Sequence, residues 1–227
     1  MIELFCVVDE PAAAVAAGCG REDGDLCLIR TSRISCVGRP CRTPEVRTDG
    51  EALVEHDATV RRMMAVSTVV PFRYGTVLPG AAEAERELRR REETFERLLR
   101  HLKGQVEMAL RARTSDVGAG NRHRSGRDYL QSLRSGSGDP LLDHLHRALA
   151  AEATAAVADG GRAGTLKASY LVPADGVDRF RQTLLRAVER GDEKLGSVSL
   201  TGPWPPYSFV DGGTPVSEPI AEVGRGG

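Results

Sequence analysis

The single tryptophan of this chain lies among prolines near the end of the sequence, in the segment Gly202–Val210, here called the Trp204 segment. Its prolines are Pro203, Pro205 and Pro206. A proline donates no backbone hydrogen bond and fixes φ at about −65°, so the segment is excluded from helix interiors and central strands. We expect it to run extended and to dock its aromatic rings on a surface of this chain or of a partner. Those rings belong to Trp204, Tyr207 and Phe209.

A second stretch of similar character, Val69–Thr76, places an arginine between two aromatic residues. Arg73 lies between Phe72 and Tyr74, in what the apolar neighbours predict to be a strand. A guanidinium in that setting needs a carboxylate, a carbonyl or an aromatic face as its partner. Two interpretations stay open, a structural pairing within this chain and recognition of a partner protein.

The composition excludes several classes of protein. The length of 227 residues allows one large or two small domains, and 41% hydrophobic residues suffice for a core. A formal net charge of −1 gives no general attraction to nucleic acid. We expect no signal peptide, because Glu3 interrupts a short apolar start, and therefore a cytoplasmic protein with reduced thiols. No apolar run reaches the ~18 residues of a membrane span, so no membrane insertion is expected.

The first 80 residues predict a ferredoxin-like α+β domain of order β-α-β-β-α-β. The predicted elements are a strand Ile2–Val8, a short helix Pro11–Ala17, strands Asp25–Arg30 and Ile34–Val37, a helix, and a strand Val66–Phe72. Thr48 and Glu51 have the spacing of a capping box at the start of the second helix. The apolar face predicted for that helix is Leu53, Val60, Met63 and Met64.

A single long charged helix, residues 81–103, is predicted to join this domain to a second one. Pairs such as Glu85 with Arg89 and Glu87 with Arg91 place the acid four residues before the base, the favourable order. Its apolar positions resemble a short coiled-coil seam. They are Leu88, Phe95, Leu98 and Leu102. Packing between the domains and binding of a partner helix are both consistent with that seam.

Residues 104–210 predict a second α+β domain, of ferredoxin-like or modified ferredoxin-like type. The predicted elements are a strand Gln105–Ala112, a basic loop Arg113–Arg127, a helix from Asp139-Pro140 to Gly160, a strand Leu166–Val172, a helix Val177–Gly191 and a strand Val198–Leu200. Asp139 is expected to cap its helix, with proline at the first helical position. The glycine-rich residues 211–227 are expected to be disordered.

Residues that carry catalysis or hold a metal are scarce. The five cysteines contain no Cys-x-x-Cys pair, so a zinc site is not expected. His144 and His146 are two apart on a helix and point to different faces, which suits surface or capping histidines. His56 adjoins Glu55 and Asp57 without an evident nucleophile or metal companion, which favours a structural role. We expect no catalytic residues, no metal and no cofactor, and therefore no enzyme.

Both aromatic stretches resemble signatures of the gas vesicle accessory proteins of the F and L type (GvpF/GvpL). Gly104–Met108 resembles the family's "G-(K)-V-E" strand entry, although Met108 stands where an aromatic residue is common. Gly126–Leu130 resembles "G-x-x-Y-L", and Ala168–Val172 resembles "A-Y-L-V". The resemblance spans about residues 1–210 and does not separate the F type from the L type.

The resemblance implies an accessory role in gas vesicle formation, in the cytoplasm and associated with gas vesicles. The partners implied are the major shell protein and other gas vesicle accessory proteins, with no nucleic acid. A small-molecule-binding or enzymatic module on a ferredoxin-like fold is the alternative.

We expect the Trp204 segment to be mainly structural, with Trp204 at least half buried. The candidate interaction or structural residues are Phe72, Arg73, Tyr74, Trp204, Tyr207 and Phe209.

Overall fold

The computed structural model describes residues 1–9, 26–41, 50–115, 139–159, 164–191 and 194–210. Helices and two antiparallel sheets make up this part of the chain, which confirms the α+β class. The chain divides into two compact units, Met1–Lys103 together with Val210, and Gly104–Phe209. The predicted helix Pro11–Ala17, most of the basic loop and the tail from residue 211 lie outside the described residues. None of the described helices has the length and apolar character to cross a membrane.

The first unit is built around one buried strand. Its elements are β1 (Ile2–Asp9), β2 (Cys27–Arg30), β3 (Ile34–Pro40), α1 (Gly50–Met64), β4 (Val69–Pro71), β5 (Val77–Leu78), α2 (Ala81–Arg90) and α3 (Glu92–Leu102). The strands pair in the order β2-β3-β1-β4, and β5 pairs with the start of β1. The hairpin β2-β3 and strand β4 thus flank β1, as in a split β-α-β unit.

Helix α1 buries most of the face predicted for it, with Leu53 as the exception. Val60 and Met63 are buried as expected, but Leu53 is 52% exposed. The buried positions are Ala52, His56, Thr59, Val60 and Met63. These positions follow helical spacing. Polar residues can be buried among them because their polar groups are hydrogen-bonded; Thr59 Oγ1, for example, donates to the carbonyl of Glu55 at 3.0 Å.

The strand predicted at Val66–Phe72 is shorter than expected, since β4 begins only at Val69. The backbone N–H groups of Val66 and Ser67 donate to the carbonyl of Met63, at 3.1 and 2.9 Å. These bonds belong to the end of α1, so Val66 follows the helix and is 51% exposed.

The long helix predicted over residues 81–103 is two helices, with a break at Arg91. Arg91 has φ −115° and ψ 12°, outside the α-helical region, and its guanidinium lies over the Phe95 ring at 4.9 Å. Glu92, the first residue of α3, accepts hydrogen bonds from Ser32 Oγ and the backbone N–H of Arg33, both at 3.1 Å. The turn between β2 and β3 therefore holds the start of α3, which favours a new helix at this point.

The apolar seam of these two helices packs mainly inside the protein. Leu88, Phe95 and Leu102 are each at most 2% exposed, and Leu98 is only partly buried. Phe95 contacts Phe72 edge-to-face at 6.0 Å, within the first unit. These positions thus serve the core.

The second unit repeats the strand order of the first. Its elements are β6 (Gln105–Thr114), α4 (Pro140–Ala150), β7 (Ala155–Asp159), β8 (Thr165–Pro173), α5 (Val177–Gly191) and β9 (Leu195–Trp204). The sheet order is β7-β8-β6-β9, with the first strand again next to the last. Helices α4 and α5 cover one face, where Leu145 and Phe180 join the apolar core built on Leu110 and Tyr170.

Two elements in this unit end at other residues than predicted. The N-cap is as predicted, because Asp139 Oδ1 accepts from the N–H of Leu141 at 2.9 Å. The helix ends at Ala150, however, and the strand β7 follows where we predicted helix up to Gly160. Strand β9 also continues four residues past Leu200, as far as Trp204.

Candidate functional site

The Trp204 segment begins as part of an edge strand. Strand β9 pairs with β6, and Trp204 is opposite Glu107 in the register. The prediction that these prolines exclude a central strand is consistent with this placement, because β9 is at the edge of the described sheet, where proline is tolerated. The prediction that the last strand ends at Leu200 is wrong, because the pairing with β6 continues to Trp204.

Glu107 holds the rest of the segment in place. The N–H of Ser208 donates to Glu107 Oε2 at 2.8 Å, and the Ser208 hydroxyl donates to Glu107 Oε1 at 2.7 Å. Ser208 Oγ also lies 3.1 Å from Ser169 Oγ on strand β8. Glu107 is only 6% exposed, so these bonds satisfy a carboxylate that would otherwise be costly to bury.

The three aromatic residues of the segment are all partly buried. Trp204 Nε1 donates to Thr201 Oγ1 at 3.1 Å. Tyr207 and Phe209 lie in a short 3-10 turn, in which the N–H of Phe209 donates to the Pro206 carbonyl at 3.1 Å. Residues 202–209 thus dock on the second unit, to which they belong.

Gly202 permits a close approach between the segment and strand β6. Its φ is +127°, a conformation that L side chains rarely adopt. A Cβ at this position would lie 2.7 Å from the carbonyl oxygen of Glu107 and 2.9 Å from Met108 Sδ. Only glycine fits here without displacing the backbone of β6.

The stretch from Phe72 to Tyr74 leaves the first sheet through a tight turn. Phe72 is 2% exposed, and its N–H donates to the Phe5 carbonyl at 2.8 Å. Arg73 is exposed and follows β4, so its predicted place inside a strand is wrong. The turn closes because the Thr76 N–H and hydroxyl both donate to the Arg73 carbonyl, at 3.1 and 2.7 Å. Gly75, at φ 81°, supplies the left-handed residue.

Behind this turn lies a buried histidine. His56 is 1% exposed, and its Nε2 is 3.1 Å from the carbonyl oxygen of Phe72. Because a carbonyl only accepts, Nε2 is the donor, and Nδ1 lies 3.5 Å from Glu3 Oε1. The His56 ring stacks on Phe5 at 4.9 Å and meets Tyr74 edge-on at 5.5 Å. His56 therefore positions the turn, consistent with the structural role inferred for it.

Glu3 links His56 to an arginine. Arg39 Nη2 donates to Glu3 Oε2 at 3.0 Å, the same guanidinium is paired with Glu55, and it lies 5.3 Å from the centre of the Phe5 ring. Burial alone raises the pKa of the Glu3 carboxyl. The neighbouring His56 and Arg39 lower it by more than burial raises it, so the net pKa is below its usual value. This group is a buried charged network covered by aromatic rings, in which His56 Nδ1 lies near the Glu3 carboxylate without a hydrogen-bond partner among the described residues.

His144 and His146 point to different sides of helix α4, as predicted. His144 is exposed, whereas His146 is partly buried and its Nδ1 lies 2.8 Å from the Tyr170 hydroxyl. Burial lowers the pKa of His146 and raises that of Tyr170. The prediction of a surface or capping role is wrong for His146, because Tyr170 is a core residue with a polar end that needs a partner.

The sequence did not identify the residues that hydrogen-bond the Phe72–Tyr74 turn and the Trp204 segment in place. Glu3, Arg39 and Glu55 are far apart in sequence, and Glu107 and Ser208 are separated by 101 positions. The available signal was an acid inside an apolar strand, at Glu3 in β1 and at Glu107 in β6, because a buried carboxylate requires hydrogen-bond donors.

Comparisons with known proteins agree with one another. Residues 4–211 match the model of the family described as gas vesicle synthesis protein GvpL/GvpF. Gas vesicle protein L of Streptomyces sp. (strain CB03234) is 31% identical over 183 residues, which cover 70% of this chain and 69% of that protein. The crystal structure of GvpF from Anabaena sp. PCC7120 matches with a TM-score of 0.72 at 13% identity, over 92% of this chain and 95% of that one. GvpF from Microcystis aeruginosa matches with a TM-score of 0.68 at 14% identity, over 92% and 98%.

Proposed function

The chain belongs to the GvpL/GvpF family of gas vesicle synthesis proteins, and from that premise we propose that it is an accessory protein that binds the small shell protein during gas vesicle assembly. The family match over residues 4–211 is the observation that carries this proposal. The partners proposed are the major shell protein and other gas vesicle accessory proteins, in the cytoplasm.

The physical need for such a protein comes from the shell itself. A gas-filled shell has an apolar inner surface, so its subunit carries apolar surface that is exposed to water before polymerisation. Exposed apolar surface and unpaired strands promote aggregation. A protein that covers this surface, and releases the subunit into a growing shell, removes the hazard and aids nucleation.

Two features of the described residues support a binding role. Large apolar side chains are exposed at adjacent positions of α1, Leu53 at 52% and Val54 at 68%. The edge strand β7 carries another, Val157 at 49%. An edge strand can pair with an extended segment, and an exposed apolar helix face can contact an amphipathic one.

The enzymatic alternative has less support. A histidine next to a carboxylate is a common catalytic arrangement, and His56 with Glu3 is such a pair. His56, however, is 1% exposed and lies against Phe5, Tyr74 and the Phe72 carbonyl. A general base needs to reach a substrate, and this ring is covered.

Co-expression with an affinity-tagged shell protein tests the proposal. We expect the wild-type chain to be captured with the shell protein and to keep more of it in the soluble fraction. A Leu53→Ser/Val54→Ser variant should be captured less well, whereas Leu185→Ser, which changes a side chain 61% exposed on α5, is the matched control. Absence of the wild-type chain from the captured material contradicts the proposal.

A further inference from the structure

The face of the second sheet that α4 and α5 leave uncovered carries three cations. Along β6 and β8 alternate residues, such as Leu110 and Ala168, enter the core. The residues between them point to the opposite face, where Arg111, Arg113 and Lys167 are exposed, Ala109 and Ser169 are partly buried, and Glu107 and Leu171 are buried. We call the three cations among them the basic face: Arg111, Arg113 and Lys167.

Sheet stability does not explain this arrangement. Arg111 on β6 is directly opposite Lys167 on β8, and like charges placed so are destabilising. In the backbone register Asp159 of β7 is opposite Lys167, and among the described residues no acidic residue is directly opposite Arg111 or Arg113. The ion pairs within the described part of this unit join Arg179 with Glu152 and Arg181 with Asp178, and so do not involve the basic face.

Hydroxyl groups flank the cations on strand β9. Ser199 is opposite Arg111, and Ser197 is opposite Arg113, and both serines are exposed. The next row along the sheet is uncharged, with Ala109 opposite Ser169 and the exposed Val157 opposite Ser169 on its other side. Positively charged side chains with nearby hydroxyl donors are suited to carboxylates.

The same face is poorly suited to nucleic acid. Single-stranded nucleic acid bound on a sheet stacks its bases on aromatic rings of the central strands. The outward positions of the central strands β6 and β8 next to the basic face are Ala109 and Ser169, which have no ring. Trp204 is on the edge strand β9, and its ring N–H donates to Thr201.

We propose that the basic face docks an acidic segment of a partner protein, with carboxylates on Arg111, Arg113 and Lys167 and an apolar residue against Val157. Residues two apart in a strand lie about 6.7 Å from each other, so an extended segment with alternating acidic and apolar residues matches the rows. The inference rests on the proposed function in one respect: the shell protein is the partner expected to carry that segment.

Labelled poly-L-glutamate tests the face without the shell protein. Wild-type protein should bind it more weakly as salt is raised, and Arg111→Ala/Arg113→Ala/Lys167→Ala should bind roughly tenfold more weakly than wild type at low salt. The matched control is Arg186→Ala/Arg190→Ala/Lys194→Ala, which removes three exposed cations from the same unit. The basic-face variant should melt no lower than wild type, because it removes a like-charge pair.

The outcomes separate the two proposals. Equal losses in the two triple variants, or tighter binding of oligothymidylate than of polyglutamate, overturn the acidic-segment inference. Capture of the shell protein by wild type and by the basic-face variant alike overturns it too, while the proposed function stands. If wild type binds polyglutamate through the basic face but never captures the shell protein, the inference stands and the proposed function fails.

Discussion

Ser208 donates two hydrogen bonds to the carboxylate of Glu107, at 2.8 and 2.7 Å, although 101 positions separate the two residues. Both residues lie in stretches that resemble family signatures, one at the start of β6 and one in the Trp204 segment. The two stretches are therefore one structural device, in which a buried acid in the sheet fixes the segment after the last strand.

The first prediction concerns that bond. Ser208→Ala removes the hydroxyl that donates to Glu107, and hydrogen bonds to charged groups contribute about 1.5–3 kcal/mol. We expect a loss of stability of about that size in chemical denaturation, with increased access of a quencher to Trp204. Ser199→Ala, an exposed serine on the preceding strand, should change stability by no more than ~0.5 kcal/mol. Equal stability of the two variants contradicts the assignment.

The second prediction concerns Gly202. A Cβ here would lie 2.7 Å from the Glu107 carbonyl oxygen, at a φ of +127°. We expect Gly202→Ala to cost about 2 kcal/mol or more through strain and overlap, measured as a lower melting temperature. Gly50→Ala is the control, because a Cβ at Gly50 meets nothing within 4 Å. A Gly202→Ala protein as stable as wild type would falsify the close approach.

The third prediction concerns pH. Folding lowers the pKa of Glu3 below its ordinary value of 4.5, so its contribution to stability is present above pH 4.5 and is lost as pH falls through the lowered pKa. Glu3→Gln should therefore be less stable than wild type at neutral pH, and the gap should narrow in acid. The groups that face Glu3 are Arg39 and His56, with Glu55 paired to the same guanidinium.

Denaturation curves from pH 7 down to pH 3 measure this gap. Glu51→Gln changes an exposed acid on α1 and is the matched control. A constant gap between wild type and Glu3→Gln across the whole range contradicts the account, because it indicates lost packing without a lost charge interaction.

The fourth prediction separates the core from the surface in the Phe72–Tyr74 stretch. Phe72 is 2% exposed and contacts Phe95, so Phe72→Ala should cost about 3–5 kcal/mol. Leu185→Ala, which truncates a side chain 61% exposed, should cost at most ~0.5 kcal/mol. Thermal melting in parallel gives the comparison, and a mild effect at Phe72 would show that its side chain is not part of the core.

Local signals in the sequence predict most of the elements and few of the contacts. The capped start of α4 was predictable, because Asp139 and Pro140 act within one turn. The break at Arg91 was not, because a turn some 60 residues earlier binds Glu92. Strand β7 was not predicted, because three of its five residues are alanines, which favour a helix.

For the candidate site too, the sequence predicted the segments and not the contacts between them. Aromatic and proline residues identified the Trp204 segment and the stretch around Arg73, but not the groups that fix them. Those groups are Glu107 under the Trp204 segment and His56 with Glu3 behind the stretch around Arg73. Their pairing depends on strand register, which a single sequence does not specify.

The most direct test of the central claim is the light scattering of shell protein diluted from denaturant into buffer, with and without this chain. We expect an equimolar amount of the wild-type chain to lower the scattering and to form a complex that co-elutes in size exclusion, while an inert protein at the same concentration does neither. Unchanged scattering, together with separate elution of the two proteins, would contradict the account.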